Sequence, residues 1–284
     1  MKPKNSIAIL ICYMGELPWY SDFFFLTCNH NLDVDVYLIC DQQKQHELPA
    51  KVKIVYRSLS EIRDAAEEKL VFKVNLNYPY KLCDFKPAYG LIFKDLIIEY
   101  DFWGYSDIDV IYGKIRDFID EDLLGRFDII SVRPEYLTGF FALFRNDSSI
   151  NSLFLNSPDW QYVFQQYAYC GFDECAELCF ELIDGKELSR LPTKICSMTH
   201  VIHQQAHELV IKTHFDLFVV EFTPGNLLYH QGKLIYDSKY EVLLYHLNWF
   251  KTHEKLEIPN WEIIPNSFHI NEYNFTRLES QQQN

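Results

Sequence analysis

Over its first 145 residues the chain alternates between short apolar runs and helix-like segments, and no other feature constrains the fold as tightly. Ile7–Tyr13, Val34–Cys40 and Val52–Tyr56 read as buried strands, because continuous apolar runs suit strands covered on both faces. Residues 20–29 form a Phe-rich helix candidate. Ser58 and Glu61 make a capping box that opens a helix running toward Lys73. Pro87 suits the first turn of a helix over residues 88–99. Phe102–Ser106 is a further strand, residues 115–124 are helical, and 128–132 and 139–144 are strands. Such alternation predicts an α/β fold, a mixed, mainly parallel sheet flanked by helices. Residues 148–209 read as mostly helical. Strand-like pieces follow at 217–222 and 227–236, the latter containing Gln231-Gly232, a pair that suits a hairpin turn. Residues 241–246 form a last strand. No repeat and no linker rich in Gly, Pro or Ser interrupts the chain. One domain is therefore expected over residues 1–255, with a C-terminal extension over 256–284 whose polar end (SQQQN) frays.

Composition narrows the partners. Forty acidic residues against 26 basic ones leave a net charge of −14, which repels phosphate backbones, so no nucleic-acid partner is expected. Eight cysteines contain no C-x-x-C pair, and several lie in apolar runs, where a thiol acts as a small hydrophobe. They read as reduced, which places the chain in the cytoplasm. Lys2 and Lys4 before the apolar run at 7–12 imitate a secretory leader. The run is short, Glu16 follows soon after, and no small-x-small cleavage site appears, so no leader is expected. No stretch approaches the roughly 20 apolar residues of a membrane span, so a soluble protein is expected, with peripheral contact at the inner membrane face left open. Aromatics reach 16%, enough for a thick core or a stacking pocket.

The densest chemistry lies at Tyr105-Ser106-Asp107-Ile108-Asp109-Val110, where an apolar strand runs straight into two aspartates. Ligands of open α/β sheets bind at the carboxyl ends of strands. Two carboxylates there repel each other unless a cation neutralises them, and hard divalent ions prefer oxygen ligands. A strand-end turn capped by aspartate is the other reading. Position after three strand–helix units favours the metal. His246, in an apolar strand-like run, is either a core histidine or a neutral imidazole ligand, better for Mn²⁺ than for Mg²⁺. Asp84-Phe85-Lys86-Pro87 begins a helix, with Asp84 as its cap or with Lys86 and the helix terminus meeting a phosphate or sugar hydroxyl. His200, His203 and His207 share one helical face but lack an accompanying H-E-x-x-H pattern, so a polar face is expected rather than zinc. Cys175 and Cys179 suit core packing. Trp19, Tyr20, Trp103 and Tyr105 either stack on a ligand ring or fill the core. A dinucleotide site would need G-x-G-x-x-G after the first strand and a P-loop would need G-x-x-x-x-G-K-[ST]; neither is present.

With these residues in place, the chain resembles nucleotide-sugar-dependent glycosyltransferases of the GT-A type. Those enzymes carry an Asp-x-Asp at a strand end that binds a divalent metal and the donor diphosphate. Residues 7–15 resemble their first strand and nucleotide-cradling loop, and YLICD at 37–41 resembles their second strand, which ends in an acid near the base or ribose. LLYHLNWFK at 243–251 resembles the late segment in which a His supplies a further metal ligand and a Lys meets the diphosphate, although the Gly and Pro usual around that Lys are missing. KLCDFKPAYG (81–90), FWGYSDIDVIYG (102–113) and GFFALFRN (139–146) resemble a group of small bacterial proteins associated with surface-polysaccharide synthesis.

The resemblance implies a GT-A-like, Rossmann-like fold and a metal-dependent hexosyltransferase. Its donor would be a UDP- or GDP-sugar, and its acceptor a glycan or lipid-linked glycan in capsule or lipopolysaccharide synthesis. Asp107, Asp109 and His246 would hold Mn²⁺ or Mg²⁺. Tyr13, Gly15, Asp41, Lys86, Asp107, Gly139 and Lys251 would contact the donor, Gly139 because a side chain would obstruct it, Lys251 by neutralising the leaving diphosphate. Asp173, or else Glu174, would accept the acceptor's proton, although acids at a helix start are also favoured by the helix dipole alone. Two other classes fit parts of the pattern. A metal-dependent phosphoesterase would use Asp107, Asp109 and His246 without a sugar donor, and a non-catalytic sugar-binding module would bind sugar without nucleotide.

Overall fold

A computed structural model describes residues 5–42, 51–252 and 257–278; the polar end SQQQN lies outside them. Its main sheet is built on β1 (Ile7–Tyr13), with β2 (Val34–Cys40) and β3 (Val52–Tyr56) to one side and β4 (Phe102–Ser106) to the other. β1 runs parallel to both β2 and β4, and β2 runs parallel to β3. After β5 (Val110–Tyr112), β6 (Ile129–Ser131) and β7 (Phe141–Arg145) return to this sheet, and β8 (Thr213–His214) closes its edge, giving the order β3-β2-β1-β4-β7-β6-β8. β7 is antiparallel to β4 and β6, while β6 and β8 are parallel. The sheet is therefore mixed and mainly parallel, flanked by helices, as the alternation predicts.

Both faces of β1 and β4 are covered, which explains their continuous apolar runs; β3, expected to be buried, lies at the edge of the sheet with Lys53 and Tyr56 exposed. Ile7, Ile9 and Ile11 pack with Phe24 and Phe25 of the helix Ser21–Asn29. Ala8 and Leu10 face the opposite layer, with Ile62 of the helix Leu59–Leu70. The strand's two-residue period distributes its side chains this way. Ser58 caps the second helix with Glu61 in the expected capping box.

A second sheet follows. β9 (Leu227–His230), β10 (Lys233–Tyr236) and β11 (Tyr240–Val242) form an antiparallel meander, joined on β9 by β13 (Ser267–Ile270) and then β14 (Phe275–Arg277). Gln231 and Gly232 turn the β9–β10 hairpin with φ of +49° and +92°, the positive pair that a type I′ turn requires. Phe23 docks this sheet on the first helix, its ring 5.2 Å from Phe268 and 4.7 Å from Phe275. Between β11 and β13, β12 (Leu244–His246) leaves the meander and pairs antiparallel with β5.

Several local expectations are corrected. No single helix starts at Pro87. The helical path begins at Pro79 and proceeds in short turns to Ile97, tightening to a 3₁₀ turn at Lys86–Ala88, because proline lacks the N–H that a continuous ladder needs. Residues 115–124 divide into Ile115–Phe118 and Glu121–Arg126. Residues 217–222 are not a strand; Val220 makes one bridge to Tyr245, and Phe222 ends the extension with φ of +59°. Residues 241–246 divide between β11 and β12. Gly171 to Glu174 does not open a helix either. Residues 172–177 are turns, with Ala176 and Glu177 at positive φ, and helix resumes at Cys179. No helix among the described residues is long and apolar enough to cross a membrane.

Candidate active site

The chain leaves β1 toward β2 on one side, while β4 pairs on the other. Connections that diverge in this way open a crevice at the carboxyl ends of the strands. A cleft of about 280 Å³ lies there, its lining including Tyr13 and Met14 from the end of β1, Asp107 and Asp109 from beyond β4, Lys86, and Lys251.

The two aspartates are placed by the ends of strands. Asp107 N–H donates to the Phe140 carbonyl at 3.2 Å, extending the β4–β7 ladder by one bond. The Asp109 carbonyl accepts from Leu247 N–H at 2.8 Å, beside the β5–β12 pairing that sets His246 opposite Val110. That register brings His246 Nε2 to 3.3 Å from Asp109 Oδ2. Ligand atoms of Asp107, Asp109 and His246 all lie within 4.8 Å of one another, the only such cluster of metal-type donors among the described residues.

Charge is tightly managed here. Lys86 Nζ donates to Asp107 Oδ1 at 2.7 Å and to the Gly139 carbonyl at 2.8 Å. Lys251 forms a close ion pair with Asp109. Burial alone would raise the Asp109 carboxyl, but the close contact with His246 and the charges of His246 and Lys251 hold it well below the usual range. Burial would likewise lower the His246 imidazolium, yet Asp109 and Glu221 raise it to about 9. The Lys86 ammonium, also opposed by burial, is held well above its ordinary value chiefly by Asp107.

This donor set fits a divalent cation. Two carboxylates and an imidazole suit Mn²⁺ or Mg²⁺, and the buried Asp109 Oδ2 makes ion pairs but no well-formed hydrogen bond.

Asp173 and Glu174 lie behind this group and do not line the cleft. Asp173 is 1% exposed; its Oδ2 is 3.7 Å from Lys86 Nζ, and its Oδ1 accepts from the Tyr169 hydroxyl at 3.0 Å. Glu174 Oε1 accepts from Gly139 N–H at 2.7 Å. Burial raises both carboxyls, with Lys86 opposing the shift at each. A Cβ on Gly139 would stand 2.8 Å from Asp173 Oδ2 and 2.9 Å from Glu174 Oε1, so only glycine lets the acidic pair close on this backbone. Gly15 and Asp41 also lie outside the cleft lining. They are joined to each other, Gly15 N–H donating to Asp41 Oδ1 at 2.8 Å, and Gly15 has φ of +96°, a conformation glycine adopts freely.

Other residues take unexpected places. Asp84 is no helix cap. It is fully buried against Lys81 at 2.7 Å, and its two oxygens accept from Cys170 and Phe172 N–H, both at 2.9 Å. Sequence reasoning missed Glu221, whose Oε1 is 3.7 Å from His246 Nδ1 and which is held by Arg133 at 2.5 Å. Its one signal is an acid inside the apolar stretch 217–222. Phe140 stacks on the His246 ring with centroids 4.4 Å apart. His200 takes part in the capping box of the helix Met198–His207, its Nδ1 accepting from Ser197 N–H at 3.2 Å. Cys175 is buried with Tyr136 and Leu182. Trp103 and Tyr105 are core residues, Trp19 packs on Phe275, and Tyr20 lines the cleft.

A protein-family model matches residues 9–279, and its description reads family of unknown function (DUF6625). No curated protein matches the chain. Among solved structures, the apo form of mouse xyloside xylosyltransferase 1 aligns with a TM-score of 0.48 at 10% identity, covering 86% of this chain and 98% of that one. The galactosyltransferase LgtC in complex with donor and acceptor sugar analogs aligns with a TM-score of 0.35 at 8% identity, covering 75% of each chain.

Proposed function

We propose for this chain, which belongs to the DUF6625 family of unknown function, the metal-dependent transfer of a sugar from a nucleotide-sugar donor to a glycan acceptor. The observation that carries the reading is the convergence of Asp107, Asp109 and His246 within 4.8 Å at the end of a parallel strand, the two aspartates lining a cleft together with two lysines. Carboxylates and an imidazole hold a divalent ion, lysines attract an anion, and a metal-bound diphosphate is the ligand that needs both.

In this reading Asp107, Asp109 and His246 hold Mn²⁺ or Mg²⁺, and the bound ion neutralises charge that develops on the leaving diphosphate. Lys86 is buried and fixed by Asp107 and Gly139, so it serves as a permanent positive wall. Lys251 is more exposed and can exchange Asp109 for an anionic donor. Asp173 and Glu174 act as positioning residues, holding Lys86 and the Gly139 backbone; their burial favours this role over proton transfer from an acceptor. Tyr13 lines the same cleft, and the Gly15–Asp41 bond ties together the loops after β1 and β2. All these residues fall within 1–255, the stretch we assign to the transferase domain. The blocks at 81–90, 102–113 and 139–146 support a surface-glycan acceptor, such as capsule or lipopolysaccharide, at the cytoplasmic membrane face.

The test is thermal unfolding against UDP, GDP and their sugars, with and without Mn²⁺. A ligand at 100 times its Kd adds about 2.7 kcal/mol. The expected result is a Mn²⁺-dependent shift with one nucleotide, lost in Asp107→Ala. Phosphate release from simple esters without any nucleotide shift would replace the reading by a phosphoesterase. Sugar binding with no nucleotide shift would replace it by a sugar-binding module.

A further inference from the structure

Two pairs of tyrosines stand at the mouth of the cleft. Tyr80 is 61% exposed, lines the cleft, and sets its ring edge-on to Tyr169 with centroids 5.0 Å apart. Two residues earlier in both segments, Tyr78 meets Tyr167 at the same 5.0 Å, and Tyr167 is 64% exposed.

Their backbone is anchored from below. Lys81 Nζ donates to the Ala168 carbonyl at 2.8 Å, and Asp84 accepts from Cys170 N–H at 2.9 Å. Rings on a pinned backbone, two of them exposed (Tyr80 and Tyr167) and two half-buried (Tyr78 and Tyr169), are ordered before any ligand arrives, which lowers the cost of binding. The patch also has a direction. Tyr169 donates to Asp173, which lies beside Lys86, and it lines a second hollow of about 390 Å³ with Tyr162, Gln166, Glu177, Thr193 and Lys194. The tyrosines therefore run from the proposed donor cleft to a neighbouring hollow with mixed polar and apolar walls.

The four side chains of this path are uncharged phenols, which suits an uncharged ligand. The cation and carboxylate beneath it, Lys81 and Asp84, are buried against each other and offer nothing to a charged group. A pyranose ring has a C–H face that packs on an aromatic ring, and edge hydroxyls that bond phenols and amides; tyrosine presents both an apolar body and a polar tip. Resting on the transferase reading, we propose that Tyr78, Tyr80, Tyr167 and Tyr169 form a saccharide platform. It seats the neutral pyranose rings of the acceptor at the cleft mouth, and the hollow beside Tyr169 takes a further sugar of an oligosaccharide.

The experiment is binding of the full chain to an array of neutral oligosaccharides, with Kd for the best probe then measured for wild type, Tyr167→Ala, Tyr80→Ala and Tyr167→Phe. Loss of one stacking partner is expected to weaken binding about 3- to 10-fold in each alanine variant. Tyr167→Phe keeps the ring and is expected to stay within about twofold of wild type. Unchanged affinity in both alanine variants overturns the platform, as does failure of wild type to bind any oligosaccharide. The Mn²⁺-dependent nucleotide shift of wild type separates the two readings. With that shift present, failure to bind saccharide removes the platform alone. With it absent, tyrosine-dependent saccharide binding removes the transferase reading and leaves the platform in place.

Discussion

The Lys86 ammonium and the Asp107 carboxylate meet at 2.7 Å in the wall of the cleft, and the same ammonium is 3.7 Å from buried Asp173. One buried cation thus joins the first aspartate of the Asp-x-Asp triplet to the acidic pair behind it. Removing one partner of a buried ion pair costs about 3–5 kcal/mol, because the remaining charge is left uncompensated. Lys86→Met is expected to lose about 3 kcal/mol of stability in urea unfolding. A loss below about 1 kcal/mol, the level of a surface pair, would mean that Lys86 is not the counter-charge of Asp173.

Asp173 also carries a pH signature. Burial raises its carboxyl well above the usual range, with Lys86 opposing and Glu174 adding to the shift. The folded state therefore binds this proton more tightly than the unfolded state. Its contribution is complete below the unfolded pKa of about 4 and is lost as pH rises through the folded value. Asp173→Asn has no such proton to lose. Its stability relative to wild type is expected to increase from about pH 4 upward. A difference that stays flat across urea titrations from about pH 4 to 8 would show that Asp173 does not titrate on unfolding.

Gly139 separates steric from conformational causes. A Cβ there would meet Asp173 Oδ2 at 2.8 Å and Glu174 Oε1 at 2.9 Å; Asp173 is buried and fixed through its other oxygen by Tyr169, and Glu174 Oε1 is held by the Gly139 N–H. Overpacking of this kind costs about 1–3 kcal/mol. Gly125, in the helix Glu121–Arg126, has nothing within 4 Å of an added Cβ, so Gly125→Ala gains about 1 kcal/mol of helix propensity instead. The two alanine variants are expected to move the melting temperature in opposite directions.

How much of this was legible in the sequence follows from where each constraint lives. β1 and β4 were legible because strands buried on both faces must be apolar throughout, β3 only through its β-branched residues, and the triplet at 107–109 stood out because polarity changes abruptly at the end of β4. The pairing of β12 with β5 is different. It joins segments far apart in the chain, and nothing local in Leu244–His246 announces Val110 as its partner. Glu221 and Arg133 were hidden for the same reason. Lys81 and Asp84 look like surface residues until the 163–172 backbone closes over them. The turn at 172–177 was read as the start of a helix because acids favour a first helical turn, yet Ala176 and Glu177 adopt positive φ. Tertiary closure overrode propensity there.

Lys251 offers a test with two opposite arms. Its ammonium pairs with Asp109, one of the three residues assigned to the metal. Replacing it by methionine removes a cation that competes for this carboxylate. Mn²⁺ alone is then expected to bind on the order of tenfold more tightly, a modest figure because a half-exposed lysine is partly screened. Affinity for the nucleotide diphosphate in the presence of Mn²⁺ is expected to fall, since one of two positive groups in the cleft is gone. Calorimetric titrations with Mn²⁺, then with UDP or GDP, read the two arms. Parallel changes in both would mean that Lys251 shapes the cleft rather than exchanging partners.

The pair Lys81–Asp84 differs from ion pairs that hydrophobic residues can replace. Lys81 Nζ reaches Asp84 at 2.7 Å and also holds the carbonyls of Val163 and Ala168, while Asp84 holds Cys170 and Phe172 N–H. Four backbone groups thus depend on two side chains. Burial raises the Asp84 carboxyl even with Lys81 beside it, so the pair sits where charge is costly. Where only the charges matter, an apolar double replacement is neutral or stabilising. Here the Cys170 and Phe172 N–H groups would lose the carboxylate that accepts from them, at about 1–3 kcal/mol each. Lys81→Met and Asp84→Leu are each expected to lose at least about 3 kcal/mol. Their combination is expected to stay several kcal/mol below wild type, where charge compensation alone would restore it. A double variant as stable as wild type would show that the 163–172 segment is held by its apolar contacts, and that the ion pair does not anchor Tyr167 and Tyr169.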